Sequence, residues 1–329
     1  MTHLFRELPD RLIRTVRERS KFLVIGHRQP DADCIFSSLT LKIILSFLGK
    51  EVILLNEGPF LRPEIIPYRG QFLTSVTPES LSGDPVLIVV DCSTEDRPGE
   101  MMTELSGLPL IVIDHHIGGE LFAQKDLTYI IPEVPSTTLL IDEIRRQLGV
   151  PLTKELAEYI YLGFATDTNF FSRLIDDRNG PETLRRVADL LETGLSVQDI
   201  FERLHGGKPF SFYTDLTMLM KRTVFMCDGS LAYSYLKYGE LKGEKPIEPL
   251  YSALLEVRGV RVIAFFDEGK NATQVGLRST ISSGINVGKE ARILGGGGHA
   301  HQAGVLVPGD LEQVTSLIIP KLISLLENK

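Results

Sequence analysis

The amino-acid sequence predicts an α/β protein built from a parallel-sheet domain and a smaller, mixed domain. Up to about residue 195, short apolar runs alternate with helical stretches, which is typical of a parallel sheet with helices on both faces. Towards the C-terminus, strand-like runs lie around a hairpin-like turn, which favours a mixed α/β layer. We therefore expect an N-terminal domain at 1–195, a helical connector at 196–222 and a C-terminal domain at 223–329.

The elements of the N-terminal domain follow from its apolar runs. An amphipathic surface helix is predicted from near Pro9, and buried strands follow at KFLVIG, EVILLN, PVLIVVDC and LPLIVIDHH. The stretch SSLTLKIILSFLGK predicts a helix that ends at Gly49, since glycine often follows the last helical turn. Later apolar periodicity predicts helices at 136–149, 153–166 and 181–193.

The rest of the chain predicts two helices and then a set of strands. The helical patterns within 196–222 break at GGKP, residues 206–209, which is typical of a connector between domains. Strands are predicted at SLAYSYL, VRVIAFFDEG and TQVGLRST, and the EGKN segment between the last two is typical of a hairpin turn.

Composition and charge exclude several classes of protein. The formal net charge of −8 disfavours a nonspecific grip on long nucleic acid, which requires a broad basic surface. No apolar run approaches the roughly eighteen residues of a membrane span. The cysteines Cys34, Cys92 and Cys227 lack C-x-x-C spacing, which argues against a disulfide framework or a thiolate zinc site. We therefore expect a cytoplasmic protein that binds neither a membrane nor a long duplex.

Acidic and histidine side chains gather where predicted strands and one helix end. In open α/β sheets, ligands bind outside the carboxyl ends of the strands. A single aspartate at such a place is typical of a helix cap or a turn. At least four carboxylates and two imidazoles at one edge instead predict a divalent cation, because like charges repel unless a counter-charge offsets them. The side chains concerned are His27, Asp31, Asp33, Asp91, Asp114, His115, His116 and Asp167.

The types of candidate ligand indicate which metal is bound. Carboxylates mixed with imidazoles favour Mn²⁺ and leave Mg²⁺, Fe²⁺ and Zn²⁺ open. Cys34 and Cys92 each adjoin a candidate ligand, and we expect both to point away from the metal into the core. Six or more ligands exceed the need of one ion. Two ions about 3.5–4 Å apart, bridged by a carboxylate, would suit the attack of hydroxide on phosphorus.

A run of four glycines ends at His299, in the segment GGGGH at 295–299. Consecutive glycines let backbone amides approach a phosphate or a base, but flexible linkers have the same composition. Arg278 favours nucleotide binding because a guanidinium grips phosphate with two parallel hydrogen bonds. His299 favours it too, since an imidazole can stack on a base or hydrogen-bond to it.

The motifs GHRQPDADCIFSS, VVDCS, IDHH and GFATDTNFF resemble the four motifs of the DHH phosphoesterases. The segment VGLRST and the later INVGKEARILGGGGHAHQAG resemble the DHH-associated C-terminal domain. All five elements stand in the family's order and cover nearly the whole chain. Two positions depart from the family pattern, because Ala32 and Phe36 stand where glycines are usual. The resemblance is strongest to stand-alone oligoribonucleases, or nanoRNases. Many of these also remove the 3′-phosphate of 3′-phosphoadenosine 5′-phosphate (pAp).

The resemblance implies a role for each matching residue. It implies that Asp114 orients an imidazole and that His116 faces the scissile phosphate as an electrostatic stabiliser or proton donor. It implies ligands for two Mn²⁺ ions: His27 and Asp31 for one, Asp33, His115 and Asp167 for the other, and Asp91 as the bridge. It also implies substrate contacts at Arg278, Ser279, Gly296, Gly297, Gly298 and His299.

The sequence thus predicts a Mn²⁺-dependent phosphodiesterase, an exonuclease that degrades short oligonucleotides to mononucleotides and is in addition a pAp 3′-phosphatase. One alternative is a linear or cyclic dinucleotide phosphodiesterase in signalling-nucleotide turnover. An alternative of another class is a catalytically silent, nucleotide-binding regulator. The expected partners are short oligonucleotides or small nucleotides, and a homodimer is left open.

Overall fold

The computed structural model describes residues 4–92, 94, 96–116, 127–171, 174, 179–298 and 300–327. The chain divides into two compact units, Met1–Gly206 and Gly207–Lys329. The boundary falls at the GGKP break, so the two halves of the predicted connector belong to different units. The exact limits of the predicted domains, at residues 195 and 223, remain predictions.

Unit 1 contains a sheet of six parallel strands. The strands are β1 Lys21–Ile25, β2 Glu51–Leu55, β3 Phe72–Leu73, β4 Val86–Val90, β5 Leu110–Asp114 and β6 Thr128–Ile130. Their order across the sheet is β3-β2-β1-β4-β5-β6, and every neighbouring pair is parallel. After β1 the chain adds β2 and β3 towards one edge of the sheet. After β4 it adds β5 and β6 towards the other edge. The direction of winding therefore reverses between these two strands, and the carboxyl ends of strands at such a point are where open α/β sheets bind ligands.

Eight α-helices accompany this sheet in the described part of unit 1. They are α1 Asp10–Glu18, α2 Ala32–Phe47, α3 Pro78–Leu81, α4 Met101–Glu104, α5 Thr137–Gln147, α6 Lys154–Asp167, α7 Gly180–Leu191 and α8 Val197–His205. Successive residues of β1 belong to two different hydrophobic clusters, with Phe22 and Val24 in one and Leu23 and Ile25 in the other. Apolar side chains therefore cover both faces of the sheet, as the near-continuous apolar strands predict.

Helix α2 forms the centre of unit 1 and begins at the candidate site. Asp31 caps its N-terminus by accepting a hydrogen bond from the backbone amide of Cys34. Phe36 is almost fully buried in α2. Its ring stacks on Tyr159 at a centroid distance of 5.5 Å and meets the edge of Tyr68 at 5.2 Å. An aromatic cluster thus fills the space around Phe36.

Unit 2 contains a mixed sheet of six strands. The strands are β7 Val224–Met226, β8 Leu231–Leu236, β9 Val262–Glu268, β10 Ala272–Ser279, β11 Gly297–Gly298 and β12 Gln302–Pro308. Strands β8 and β9 are parallel, and the other neighbouring pairs are antiparallel. The helices are α9 Phe210–Lys221, α10 Ile247–Leu255, α11 Val287–Ile293 and α12 Leu311–Glu327. The predicted fold class, a parallel-sheet domain followed by a smaller mixed domain, is confirmed.

No helix within the described residues has both the length and the apolar character that a membrane span requires.

Candidate metal centre

The polar side chains predicted from the sequence lie together at the carboxyl ends of the central strands. His27 follows β1, Asp91 follows β4 directly, and Asp114 is the last residue of β5. Asp31 and Asp33 come from the start of α2. The other members are His115 and His116, which follow β5, and Asp167, the last residue of α6. The eight side chains thus come from both sides of the point where the direction of winding reverses.

Asp91 occupies the middle of this group and is almost completely buried. Its Oδ2 atom lies 3.6 Å from Nε2 of His27, and its Oδ1 atom lies 3.6 Å from Nε2 of His115. Both distances exceed the usual length of a hydrogen bond, and they leave room for a cation between the atoms of each pair. The two carboxylate oxygens of Asp91 therefore face two different imidazoles, which is the arrangement that a bridging ligand requires.

The first imidazole, that of His27, is oriented by the backbone carbonyl of the next residue. Nδ1 lies 3.0 Å from the carbonyl oxygen of Arg28. Because a carbonyl can only accept, Nδ1 donates this hydrogen bond and Nε2 points to the carboxylates. Nε2 lies 3.6 Å from Oδ1 of Asp31 as well as from Asp91. Metal-binding histidines are commonly held in this way.

The second imidazole, that of His115, has the same arrangement on the other side of Asp91. Its Nδ1 atom lies 3.2 Å from the carbonyl oxygen of Val134. Its Nε2 atom lies 3.3 Å from Oδ2 of Asp167 and 3.9 Å from Oδ2 of Asp33. The structure therefore brings the two predicted ligand sets to opposite sides of the predicted bridge.

The crowded charges shift the pKa values of the group. Burial lowers the pKa of His27, but the Asp31 and Asp91 carboxylates outweigh it and raise this pKa to about 10. Burial raises the pKa of Asp91, whereas attraction to His27 lowers it to about 2. Burial and the surrounding carboxylates raise the pKa of Asp33 well above its usual value. Burial also raises the pKa of Asp167, to about 6, against the attraction of His115. The raised pKa values of Asp33 and Asp167 indicate that these two carboxylates lack sufficient counter-charge.

The donor set fits Mn²⁺. Oxygen and imidazole donors without a thiolate suit this ion. The sulfur of Cys34 lies near the ligand atoms of His27 and Asp91, so it does not point away from the cluster as we expected. Burial raises the pKa of the Cys34 thiol well above its usual value, which disfavours the thiolate form that a metal ion binds. Cys92 lies in an apolar cluster, as predicted.

His116 differs from the two buried imidazoles because its side chain is partly exposed. Nδ1 of His116 lies 2.7 Å from Oδ1 of Asp114. The same oxygen also accepts hydrogen bonds from the backbone amides of His115 and His116. Burial lowers the pKa of His116, but the hydrogen bond with Asp114 outweighs it and raises this pKa to about 9. Asp114 therefore favours the protonated form of His116, which can donate a proton to a bound anion.

Two threonines contact the predicted ligands and were not singled out from the sequence. Thr137 and Thr138 begin α5 and donate hydrogen bonds to Asp33 and Asp91. The available signal was the Ser-Thr-Thr segment that starts at Ser136, directly before an apolar helix. Such a segment usually indicates only a helix cap.

The predicted substrate residues Arg278 and Ser279 lie in unit 2 and bind other parts of that unit. The Arg278 guanidinium donates to Oε1 of Glu248 at 2.6 Å and lies 4.2 Å above the ring of Tyr251. Ser279 donates to the backbone carbonyl of Ile285 at 2.8 Å. Both side chains are largely buried. Their predicted contact with a nucleotide stays a prediction.

Of the predicted glycines, Gly297 and Gly298 form the edge strand β11, and Gly296 directly precedes it. A Cβ atom on Gly296 would lie 2.3 Å from the carbonyl oxygen of Gly304. A Cβ atom on Gly298, whose φ is +133°, would lie 2.4 Å from the carbonyl oxygen of Gln302. Close approach of the segment 296–298 to β12 thus explains Gly296 and Gly298, whereas Gly297 faces open space. His299 lies outside the described residues.

Known proteins resemble this chain over both units. Residues 21–164 match the DHH family, N-terminal domain, and residues 228–326 match the DHHA1 domain. The bifunctional oligoribonuclease and PAP phosphatase NrnA of Thermus thermophilus is 28% identical over 302 residues, which cover 90% of this chain and 87% of NrnA. The cyclic-di-AMP phosphodiesterase GdpP of Geobacillus thermodenitrificans is 26% identical over an alignment 331 positions long, which covers 95% of this chain and 48% of GdpP.

A solved structure has the same fold. An exopolyphosphatase-related protein from Bacteroides fragilis superposes with a TM-score of 0.81 at 23% identity. The superposition covers 97% of this chain and 95% of that protein.

Proposed function

Since this chain belongs to the DHH family of phosphoesterases, we propose that it is a Mn²⁺-dependent exonuclease that degrades short oligonucleotides to mononucleotides. We also propose that it removes the 3′-phosphate of pAp. The NrnA relative, which is named for these two activities, supports the proposal because the similarity covers most of both chains.

The observation that carries this proposal is the position of Asp91. One carboxylate oxygen faces His27 and the other faces His115, each at 3.6 Å. We propose two Mn²⁺ ions, with Asp91 as their shared ligand. The remaining ligands are His27 and Asp31 for one ion, and Asp33, His115 and Asp167 for the other. When bound, such a pair of ions supplies a positive charge for the phosphodiester and lowers the pKa of water at the site.

His116 and Asp114 supply the proton chemistry that the chain itself carries. Asp114 holds His116 through the hydrogen bond to Nδ1, so the opposite nitrogen, Nε2, is the one that can meet a substrate. A protonated imidazole there can stabilise the negative charge that develops on the phosphate, and it can donate a proton to the leaving oxygen. The carboxylate of Asp114 thus fixes the tautomer and orientation of the catalytic group.

The net charge of the protein supports the proposal that its substrate is short. Affinity for long nucleic acid depends on many contacts from Lys and Arg to successive phosphates, and a net charge of −8 disfavours them. The nucleotide contacts that we propose in unit 2 are Arg278, Ser279, Gly296, Gly297, Gly298 and His299. Arg278 would exchange its bond with Glu248 for a phosphate, since a guanidinium binds either anion.

Two alternatives remain as outcomes of the test. Similarity to GdpP over 95% of this chain favours a cyclic dinucleotide phosphodiesterase as the second candidate. The complete set of predicted ligand positions disfavours a catalytically silent regulator. The cytoplasm stays the proposed location, in accord with the three free cysteines.

Hydrolysis assays with Mn²⁺ test the proposal on four substrates: a labelled pentanucleotide, a strand of about 24 nucleotides, a cyclic dinucleotide and pAp. We expect the highest rate for roughly two to five nucleotides and release of one mononucleotide at a time, because a short chain is anchored by its end. Chelation should abolish the reaction, and Mn²⁺ should restore it better than Mg²⁺. Faster hydrolysis of the cyclic compound than of the pentamer would favour the dinucleotide phosphodiesterase. No hydrolysis of any substrate would favour the silent regulator.

A further inference from the structure

We propose that Thr137 and Thr138 are positioning residues that hold Asp33 and Asp91 in the orientation that a shared cation requires. The proposal rests on the proposed metal centre and assigns a role to residues outside the predicted ligand set. Both threonines lie at the start of α5 and are fully buried.

The first observation is that three hydrogen bonds hold Asp33. The backbone amide of Thr137 donates to Oδ2 at 2.6 Å. The backbone amide of Thr138 donates to Oδ1 at 3.1 Å, and its hydroxyl donates to the same atom at 2.8 Å. The first amides of a helix have no partner within the helix, and here Asp33 of α2 accepts two of them. These three donors fix the rotation of the carboxylate and leave a lone pair on Oδ2 for another ligand.

The second observation is that one residue joins two predicted ligands. The backbone amide of Thr137 donates a hydrogen bond to Asp33, and its hydroxyl donates one to Oδ1 of Asp91 at 2.9 Å. Oδ1 is also the atom that faces His115. The hydroxyl therefore fixes which oxygen of Asp91 is turned towards His115 and which is turned towards His27.

The third observation is the close approach of α6. A Cβ atom on Gly163 would lie 2.6 Å from Oδ1 of Asp33 and 2.7 Å from the hydroxyl oxygen of Thr138. Glycine thus fits beside Asp33 and Thr138 because it has no Cβ atom. Asp167, four residues further along α6, lies on the same face of the helix. The packing of Gly163 on Asp33 therefore also sets the distance of Asp167 from the other ligands.

The alternative is that both hydroxyls only support the packing of α5 on α2. The two roles differ in what a substitution changes. A packing role predicts loss of stability without a specific loss of Mn²⁺ affinity. A positioning role predicts weaker Mn²⁺ binding, typically by about 10–100-fold for residues that orient ligands.

The test compares the variants Thr137→Val, Thr138→Val, Thr137→Ser and Thr138→Ser in the full-length chain. Valine keeps the shape of threonine and removes the hydroxyl, whereas serine keeps the hydroxyl. Thr40→Val is the matched control, because Thr40 is fully buried in α2 and its hydroxyl has no hydrogen-bond partner among the described residues. Mn²⁺ affinity is measured by titration calorimetry, and the Tm of each metal-free protein is measured separately.

We expect both valine variants to bind Mn²⁺ about 10–100-fold more weakly, while the serine variants and Thr40→Val stay near wild type. For hydrolysis we expect a lower kcat with little change in KM, since the nucleotide contacts are untouched. Wild-type Mn²⁺ affinity in the valine variants would overturn the inference, even if their Tm fell. If the wild type binds Mn²⁺ but hydrolyses none of the four substrates, the proposed function fails, and the Mn²⁺ affinities still decide the role of the threonines.

Discussion

At the scale of single residues, the centre depends on side chains that have little freedom to change. Asp91 combines burial with a φ of +58°, a left-handed conformation that asparagine and aspartate tolerate better than most residues. Its carboxylate faces two imidazoles and accepts the hydroxyl of Thr137. Both the backbone and the side chain thus restrict what can replace it.

We expect Asp91→Asn to reduce activity by more than about 100-fold, the upper range for residues that merely orient a ligand. Asparagine keeps the size and the left-handed conformation but removes the charge that a bridge needs. The matched control is Cys92→Ala, because Cys92 is the next residue, is fully buried and lies in an apolar cluster. Measurements of kcat and Mn²⁺ affinity check the expectation. Similar losses in both variants would mean that this strand end serves the fold alone.

The sequence predicted some residues of the centre and did not predict others. The strand-end residues His27, Asp91 and Asp114 were found because parallel strands bring their carboxyl ends to one edge. Thr137 and Thr138 were not, since they lie about a hundred positions from Asp33 and are ordinary helix-start residues. Contacts between a helix start and a distant carboxylate depend on tertiary packing, which apolar periodicity does not specify.

At the scale of secondary-structure elements, the strength of the apolar pattern decides what the sequence predicts. Strands β1, β4 and β5 are continuous apolar runs and were predicted. Strands β3 and β6 are two and three residues long, which is too short for a recognisable pattern. Strand β11 consists of two glycines, and it exists because it pairs with β12 rather than because of β propensity.

Two neighbouring glycines, one directly before β11 and one within it, allow a test of two different roles. We expect Gly296→Ala to destabilise the protein by about 1–3 kcal/mol, because the new Cβ atom would overlap the carbonyl of Gly304. Gly297→Ala is the control for folding, since a Cβ atom there meets nothing within 4 Å. If the exposed backbone of β11 binds a nucleotide, Gly297→Ala should raise KM at unchanged Tm. Thermal denaturation and steady-state kinetics measure the two effects, and an unchanged KM would count against nucleotide binding at Gly297.

At the scale of the whole molecule, the predicted chemistry is divided between two units. All six predicted metal ligands belong to unit 1, and all predicted nucleotide contacts belong to unit 2. Each unit has hydrophobic clusters of its own. The fold class was predictable from the rhythm of strands and helices. The strand order of the first sheet was not, because apolar runs do not specify which neighbours they pair with.

A fragment that ends at Gly206 should separate these two functions. We expect it to fold, since a unit with its own core can be independently stable. It should bind Mn²⁺ and hydrolyse a small generic phosphodiester, but lose most activity on oligonucleotides. Circular dichroism verifies folding, and calorimetry and hydrolysis assays follow. A folded fragment without Mn²⁺ affinity would contradict the assignment of all ligands to unit 1.

The gathering of the ligands from distant segments also couples metal binding to folding. Asp33 meets Thr137 and Thr138 only in the native fold, because more than a hundred residues separate them in the chain. An unfolded chain cannot present these donors together, so an ion at this centre binds the folded state selectively. Such an ion adds about 2.7 kcal/mol to the free energy of unfolding when its concentration is about 100 times its Kd. The concentration of Mn²⁺ would then set how much of the protein survives heat and proteolysis, apart from any role in hydrolysis.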